Sequence, residues 1–217
     1  MIPKRIILVR HGRSAEDDNL VVYGQLPDYR IDLVEQGFEQ AQAVGGHIHK
    51  MIGEESYGVY ISPYLRAVHT WNCIKDRLAR KPVFCYQEPC LRGQNCGDIL
   101  ASLDAESLCE NREHLSLFFY RCPNGESCAD VYDRTSVFIN SLYRLFVRVD
   151  CPENLIIVTH SVTMRCFLAC WYHWTVDFFD SLPYLPTGHI VVMTRGAKNI
   201  FTLSEPFANR RYFSEGG

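Results

Sequence analysis

Two short apolar runs, Ile6-Ile-Leu-Val9 and Leu155-Ile-Ile-Val158, each lead through one polar residue into a histidine, His11 and His160. An uninterrupted apolar run of this length marks a strand buried on both faces, because a strand with one wet face would alternate apolar and polar residues. A sheet of such strands must be covered by helices on both sides, which restricts the chain to a mainly parallel α/β architecture. Ligands of open sheets of this kind sit beyond the carboxyl ends of the strands. Both histidines are therefore carried to the edge where chemistry is done.

The segments between the two runs fit that frame. From Val34 to Met51, Phe38, Ala41, Val44 and Ile48 recur at spacings of three and four, which predicts a helix. Gly58 to Ile61 reads as a second strand, ended by Ser62-Pro63, where Ser as N-cap and Pro in the first turn open a helix to about Ala79. Val83 to Tyr86 is a third strand, and Glu88 to His114 is irregular with one short helix. The Asn124-Gly125 turn precedes a long helix from Cys128 to Arg148, with Val131, Phe138, Leu142 and Leu145 on its apolar face. Further helices are predicted from about Val162 and over Thr175 to Phe179. Ile190 to Thr194 and Asn199 to Leu203 form a hairpin across Gly196. Asn19 to Asp32 reads as a loop, and the tail from Glu205 as loose. Without a repeat or a low-complexity linker, the 217 residues are expected to form one domain, 1–217.

Charge and cysteine usage narrow the function classes. Net charge is −3 and no basic run occurs, so neither nucleic acid nor a membrane surface is expected as a partner. Any attraction for an anion must be local. No apolar stretch approaches the roughly 20 residues that cross a bilayer. No signal-peptide apolar segment follows Met1-Ile-Pro-Lys-Arg5, so a cytoplasmic location is expected. The ten cysteines are spread along the chain without a Cys-x-x-Cys pair, and are expected to be reduced, buried small hydrophobes rather than zinc ligands. No metal and no cofactor is expected.

If the strands are neighbours, His11 and His160 converge with Arg10 and with Arg66, which lies one helical turn beyond Ser62. Two guanidiniums and two imidazoles make an anion site, since arginine's planar fork matches phosphate oxygens and stays charged at any working pH. A neutral imidazole nitrogen can attack phosphorus in line and split one transfer into two easier steps. The protein then has mainly to position the group and surround its equatorial oxygens with positive charge. His11 is the better nucleophile, with Arg10 and Gly12 allowing close approach. His160 is expected to bond an equatorial oxygen in its protonated form.

Four segments carry a family resemblance. Arg10-His11-Gly12-Arg13-Ser14 resembles the Arg-His-Gly signature of the histidine phosphatase superfamily, and Ser62-Pro63-Tyr64-Leu65-Arg66-Ala67-Val68-His69-Thr70 its Ser-Pro-x-x-Arg-Ala-x-x-Thr segment. Pro123-Asn124-Gly125-Glu126-Ser127 is similar to the Pro-x-Gly-Glu-Ser of the phosphoglycerate mutase-like branch, and Val158-Thr159-His160-Ser161 to the second-histidine segment. The resemblance implies a three-layer α/β/α sandwich with a mainly parallel central sheet and an antiparallel edge strand. It further implies hydrolysis of a phosphomonoester through a phosphohistidine on His11, with Arg10, Arg66 and Ser14 binding phosphate. The expected partner is a small phosphorylated substrate or a phosphoprotein. Arg92 and Arg121 are candidates for contact with the rest of the substrate, an ordinary ion pair being the alternative for Arg121. Glu126 is expected to cap the long helix.

The pattern also fails in places. Leu91-Arg92-Gly93-Gln94-Asn95-Cys96-Gly97 is similar to a Leu-Arg-Glu-Gln-Asp-(aromatic)-Gly pattern whose glutamate protonates the leaving oxygen, and Gly93 takes that glutamate's place. General acid help is worth about 10² to 10⁴ in rate. Asp17 stands where an asparagine usually assists phosphate binding, Arg13 replaces an acidic residue and Ser161 a glycine. Asp98, Glu88 and Asp17 are the nearest carboxyls that could substitute. Alternatively the substrate leaves without protonation, or the protein binds a phosphorylated ligand or partner and turns it over poorly. A phosphoglycerate mutase fits less well, because that reaction needs the glutamate.

Overall fold

The β1 strand, Arg5–Arg10, shows why its sequence is continuously apolar. Ile7 and Val9 pack into one core while Ile6 and Leu8 pack into another on the opposite face. The computed structural model describes residues 2–18, 22–23, 25–97 and 116–203. Within them, β1 is joined by β2 (Tyr57–Ile61), β3 (Cys85–Gln87), β4 (Asn154–Thr159), β5 (Ile190–Arg195) and β6 (Phe201–Leu203) in one six-stranded sheet of order β3-β2-β4-β1-β5-β6. β1 to β4 run parallel, whereas β5 pairs antiparallel with β1 and β6 antiparallel with β5. The late hairpin thus supplies the antiparallel margin of the sheet.

Helices cover both faces. Besides the short α1 (Ala15–Asp18), α2 (Glu35–Ile52) and α3 (Leu65–Lys75) flank one side, with Val44, Ile48, Trp71 and Ile74 against Ile7, Val9, Ile156 and Val158. α4 (Cys128–Phe146), α5 (Ser161–Tyr172) and α6 (Val176–Ser181) flank the other, with Val131, Phe138, Leu142 and Phe167 against Ile6, Leu8, Leu155 and Ile157. The apolar face expected of the long helix is the buried one. Trp171 is core, stacked on Phe167 and Tyr143.

Several ends differ from the expectation, each for a local reason. α3 starts at Leu65 and not just after Ser62: the Ser62 hydroxyl bonds His160 Nε2 at 2.7 Å and takes the Tyr64 N–H only at 3.4 Å, ahead of the helix. The third strand begins two residues late. Val83 and Phe84 form its approach, the Phe84 ring lying so close over Gly58 that a Cβ there would stand 2.3 Å from Cζ. α4 is capped reciprocally by Ser127 and Asp130, so Glu126 is not its cap. Glu126 instead accepts bonds from Arg92, Arg134 and the Asn95 N–H. The irregular segment does hold a single-turn helix at Pro89–Leu91, which Glu88 caps. Asp98 and the tail from Glu205 lie outside the described residues.

One contact ties α2 to the turn after β1. A Cβ on Gly12 would stand 2.3 Å from the Gly37 carbonyl oxygen, and a Cβ on Gly37 2.0 Å from that of Arg13. Both obstacles are backbone and cannot rotate away. Gly37→Ala is expected to cost about 1–3 kcal/mol by overpacking, read as a lowered urea midpoint. An unchanged midpoint would show that the two backbones do not need this closeness.

Candidate active site

Register brings the site together. Arg10 lies opposite Thr159 and Ile61 opposite Val158, so the residues that follow β1, β2 and β4 meet at one edge of the sheet. The His11 N–H donates to Thr159 O and the Ser62 N–H to Val158 O, extending the ladder past the strands. His11 and His160 consequently stand with ring centroids 5.0 Å apart. Arg66 reaches the same space from the first turn of α3. Arg10, His11, Arg66 and His160 are all at most 5% exposed, yet all line one cavity of about 710 Å³.

Hydrogen bonding fixes the His11 tautomer. Nδ1 lies 2.8 Å from the Gly12 carbonyl oxygen, which can only accept, so Nδ1 carries the proton and Nε2 offers a lone pair. Burial, then the charges of Arg66 and Arg10, hold the His11 pKa well below its ordinary 6.5. The ring is neutral at neutral pH. Gly12 is anchored in turn, its N–H donating to Thr70 Oγ1, which donates to Arg66 O.

Burial and the nearby Arg66, with smaller contributions from His11, Arg134 and Arg10, push the His160 pKa well down, so its protonated form needs an anion beside it. Ser62 Oγ holds its Nε2, and the Tyr64 ring meets it edge-on at 5.1 Å.

The segment that carries Gly93 is pinned over these rings. Thr159 Oγ1 donates to Leu91 O, Thr163 Oγ1 to Arg92 O, and Arg134 to the carbonyls of Cys90 and Gly93. A Cβ on Gly93 would lie 3.3 Å from His160 Nδ1 and 3.5 Å from Arg66 Nη2. Position 93 therefore faces the cavity between imidazole and guanidinium, and its side chain is missing.

Among the carboxylates that line the same cavity are Asp17, as the sequence suggested, and Glu16 and Asp28, which sequence reasoning did not place. Glu16 Oε1 lies 3.3 Å from Arg66 Nε and 4.0 Å from His11 Nε2, while Oε2 accepts from the Tyr23 hydroxyl at 2.7 Å. Asp28 takes Arg66 Nη2 at 2.9 Å through its carboxylate and Nη1 at 2.8 Å through its carbonyl. Asp17 takes Arg10 Nη2 at 3.0 Å, and Arg10 Nη1 donates to Leu185 O. Burial raises the carboxyl pKa of both Glu16 and Asp28, against the opposing pull of Arg66. Only the position of Glu16 shortly after His11, beside Asp17, could have signalled its part.

Three sequence candidates lie off the cavity wall. Ser14 is fully buried and gives both its hydroxyl and its N–H to Asp17 Oδ2, so it orients that carboxylate and not the cavity. Arg92 is paired with Glu126 at 2.5 Å, and Arg121, largely exposed, with Asp130 at 2.6 Å. Among the other acid candidates, Glu88 is turned to the Cys90 N–H.

Comparison with known proteins agrees with this geometry. The profile of the histidine phosphatase superfamily (branch 1) matches residues 6–204. The phosphoglycerate mutase-like protein AT74H of Arabidopsis thaliana is 37% identical over 220 residues, covering 94% of this chain and 78% of its own. The broad-range acid phosphatase DET1 of Saccharomyces cerevisiae is 24% identical, with 88% and 85% covered. Among solved structures, Bacillus stearothermophilus YhfR superposes with a TM-score of 0.71 at 20% identity over 92% of this chain and 95% of its own. A mycobacterial glucosyl-3-phosphoglycerate phosphatase in complex with VO3 gives 0.68 at 18% identity, over 93% and 97%. With two strand-end histidines at one sheet edge and a family profile spanning nearly its whole length, the chain belongs to the histidine phosphatase superfamily.

Proposed function

We propose that the protein is a metal-independent phosphatase that hydrolyses a phosphomonoester through a phosphohistidine on His11. The observation that carries this is the His11 ring itself: buried, neutral, tautomerically fixed, with its Nε2 lone pair directed at a cavity walled by two arginines. In this reading Nε2 attacks phosphorus in line, the ester oxygen leaves, and water then frees phosphate from the nitrogen. Arg10 and Arg66 hold the equatorial oxygens. His160 also faces them, and an entering dianion favours its protonated form, which burial and Arg66 oppose. The acid phosphatase relative supports a phosphatase reading.

The empty position 93 favours substrates whose leaving group needs no proton. It also favours a second reading, a weakly active or inactive phosphatase that binds a phosphorylated ligand. Turnover of para-nitrophenyl phosphate beside thermal shift with phosphate separates the two. Stabilisation without turnover selects the binder.

Three outcomes are expected. His11→Ala should lower turnover of para-nitrophenyl phosphate by about 10³-fold or more with the fold retained, and residual turnover near that of the parent would reject His11 as nucleophile. Gly93→Glu adds a Cβ to which neighbouring side chains need give only a few tenths of an ångström. It should raise the rate on alkyl phosphates by about tenfold or more, and on aryl phosphates less, because poor leaving groups need the proton most. Equal effects on both would place the acid function elsewhere. Finally, the His11 pKa is lowered, so its nucleophilic form persists as pH falls through 6.5. The acid limb of kcat/KM, which reports the free enzyme, should lie well below that value.

A further inference from the structure

The arrangement of Glu16 points to a task for it in the binding step. We infer that Glu16 contacts the bound phosphoryl group as a neutral carboxylic acid, so that the site takes up one proton together with the anion. This inference rests on the phosphate-site reading of the cavity.

The geometry leaves few alternatives for this side chain. Its Oε1 is 3.3 Å from Arg66 Nε and 4.0 Å from His11 Nε2, which is where an oxygen of a phosphoryl group under attack by Nε2 would stand. An ionised carboxylate and a tetrahedral dianion cannot share that place, because like charges at contact distance in a buried site are strongly unfavourable. A protonated carboxyl can share it, since its O–H donates to a phosphate oxygen. The side chain is only 13% exposed, and Tyr23 holds its second oxygen, so swinging into water would forfeit that bond.

The groups around Glu16 set the direction of the linkage. Arg66 from α3 and the Tyr23 hydroxyl favour the carboxylate, and Asp28 and the neighbouring Asp17 disfavour it. His11 faces it neutral, and Arg10 is taken up by Asp17. Tyr184 stands over Arg10 on the far wall. Burial by the protein alone raises the carboxyl pKa, and an entering dianion raises it further. Between the two values, binding consumes a proton and affinity falls as pH rises, by up to tenfold per pH unit.

The test uses sulfate, a tetrahedral dianion that does not itself titrate across the range. Its affinity for the full chain is measured by calorimetry from about pH 5 to about pH 8, in buffers of different ionisation enthalpy. The parent is expected to take up about one proton, with affinity falling toward high pH. Glu16→Gln can keep its amide oxygen on Arg66 and donate an amide N–H to the Tyr23 oxygen, but it cannot ionise. It should bind sulfate about tenfold more tightly at the upper end and lose the proton uptake. Tyr23→Phe removes a bond that favours the carboxylate and should move the pH midpoint upward. A parent that binds without proton uptake, or a Glu16→Gln variant with the parent's affinity and pH slope, overturns the inference while the phosphate site stands. Absence of binding by parent and variant alike overturns both. Binding by Glu16→Gln alone supports the inference.

Discussion

The parallel pairing of β4 between β1 and β2 is the constraint on which the site depends. Because β1 and β4 are in register through Arg10 and Thr159, the two histidines emerge side by side. A slip of one residue would turn each strand's apolar set to the opposite face and separate the rings. The register is fixed by burial on both faces, since Ile6 and Leu8 fit one core and Ile7 and Val9 the other. Core packing and site geometry are thus one specification, not two.

Placing four basic side chains at most 5% exposed has an electrostatic cost that the chain meets in two ways. The imidazoles stay neutral. The guanidiniums, which cannot, are given partners: Asp17 for Arg10, and Glu16 with Asp28 for Arg66. Buried ion pairs of this sort add little net stability, because desolvation offsets the attraction, but losing one partner leaves an uncompensated charge. The guanidiniums of the pocket are therefore cations already engaged, and any phosphate has to compete for them. Backbone carbonyls at Leu185 and Asp28 each take a further N–H, of Arg10 and Arg66 respectively, while the Nε of both guanidiniums is left without a hydrogen bond among the described residues.

Much of this was legible in the sequence. Strand ends at His11 and His160 follow from continuous apolar runs, and α2 and α4 from helical spacing, because burial periodicity is written locally. The contents of the pocket were less legible. Ser14 looked like a phosphate ligand, yet its hydroxyl is spent on Asp17. Ser62 looked like a helix cap, yet a histidine 98 residues away takes its oxygen. Glu126 looked like a cap and is the centre of an arginine pair instead. Ser62 and Glu126 had a good local use and a better distant one, while Ser14 is spent on a carboxylate three residues on. Only the tertiary fold decides between them.

Gly93 and Glu16 are best understood together. The carbonyl and side-chain bonds that hold residues 90–93 over the rings are all in place, so the scaffold for a cavity-facing side chain at position 93 persists without the side chain. Glu16 puts a carboxyl into the same cavity from the opposite element, on Arg66 Nε, where position 93 faces Nη2. The two positions thus bracket one guanidinium. A Cβ at position 93 meets Arg66 Nη2 and His160 Nδ1. A carboxyl on Nε stands within 4.0 Å of His11 Nε2 and competes with the phosphoryl group when charged. Moving a carboxyl across Arg66 therefore does not restore the missing function by itself. It makes the charge state of one side chain decide whether the nest is open to an anion.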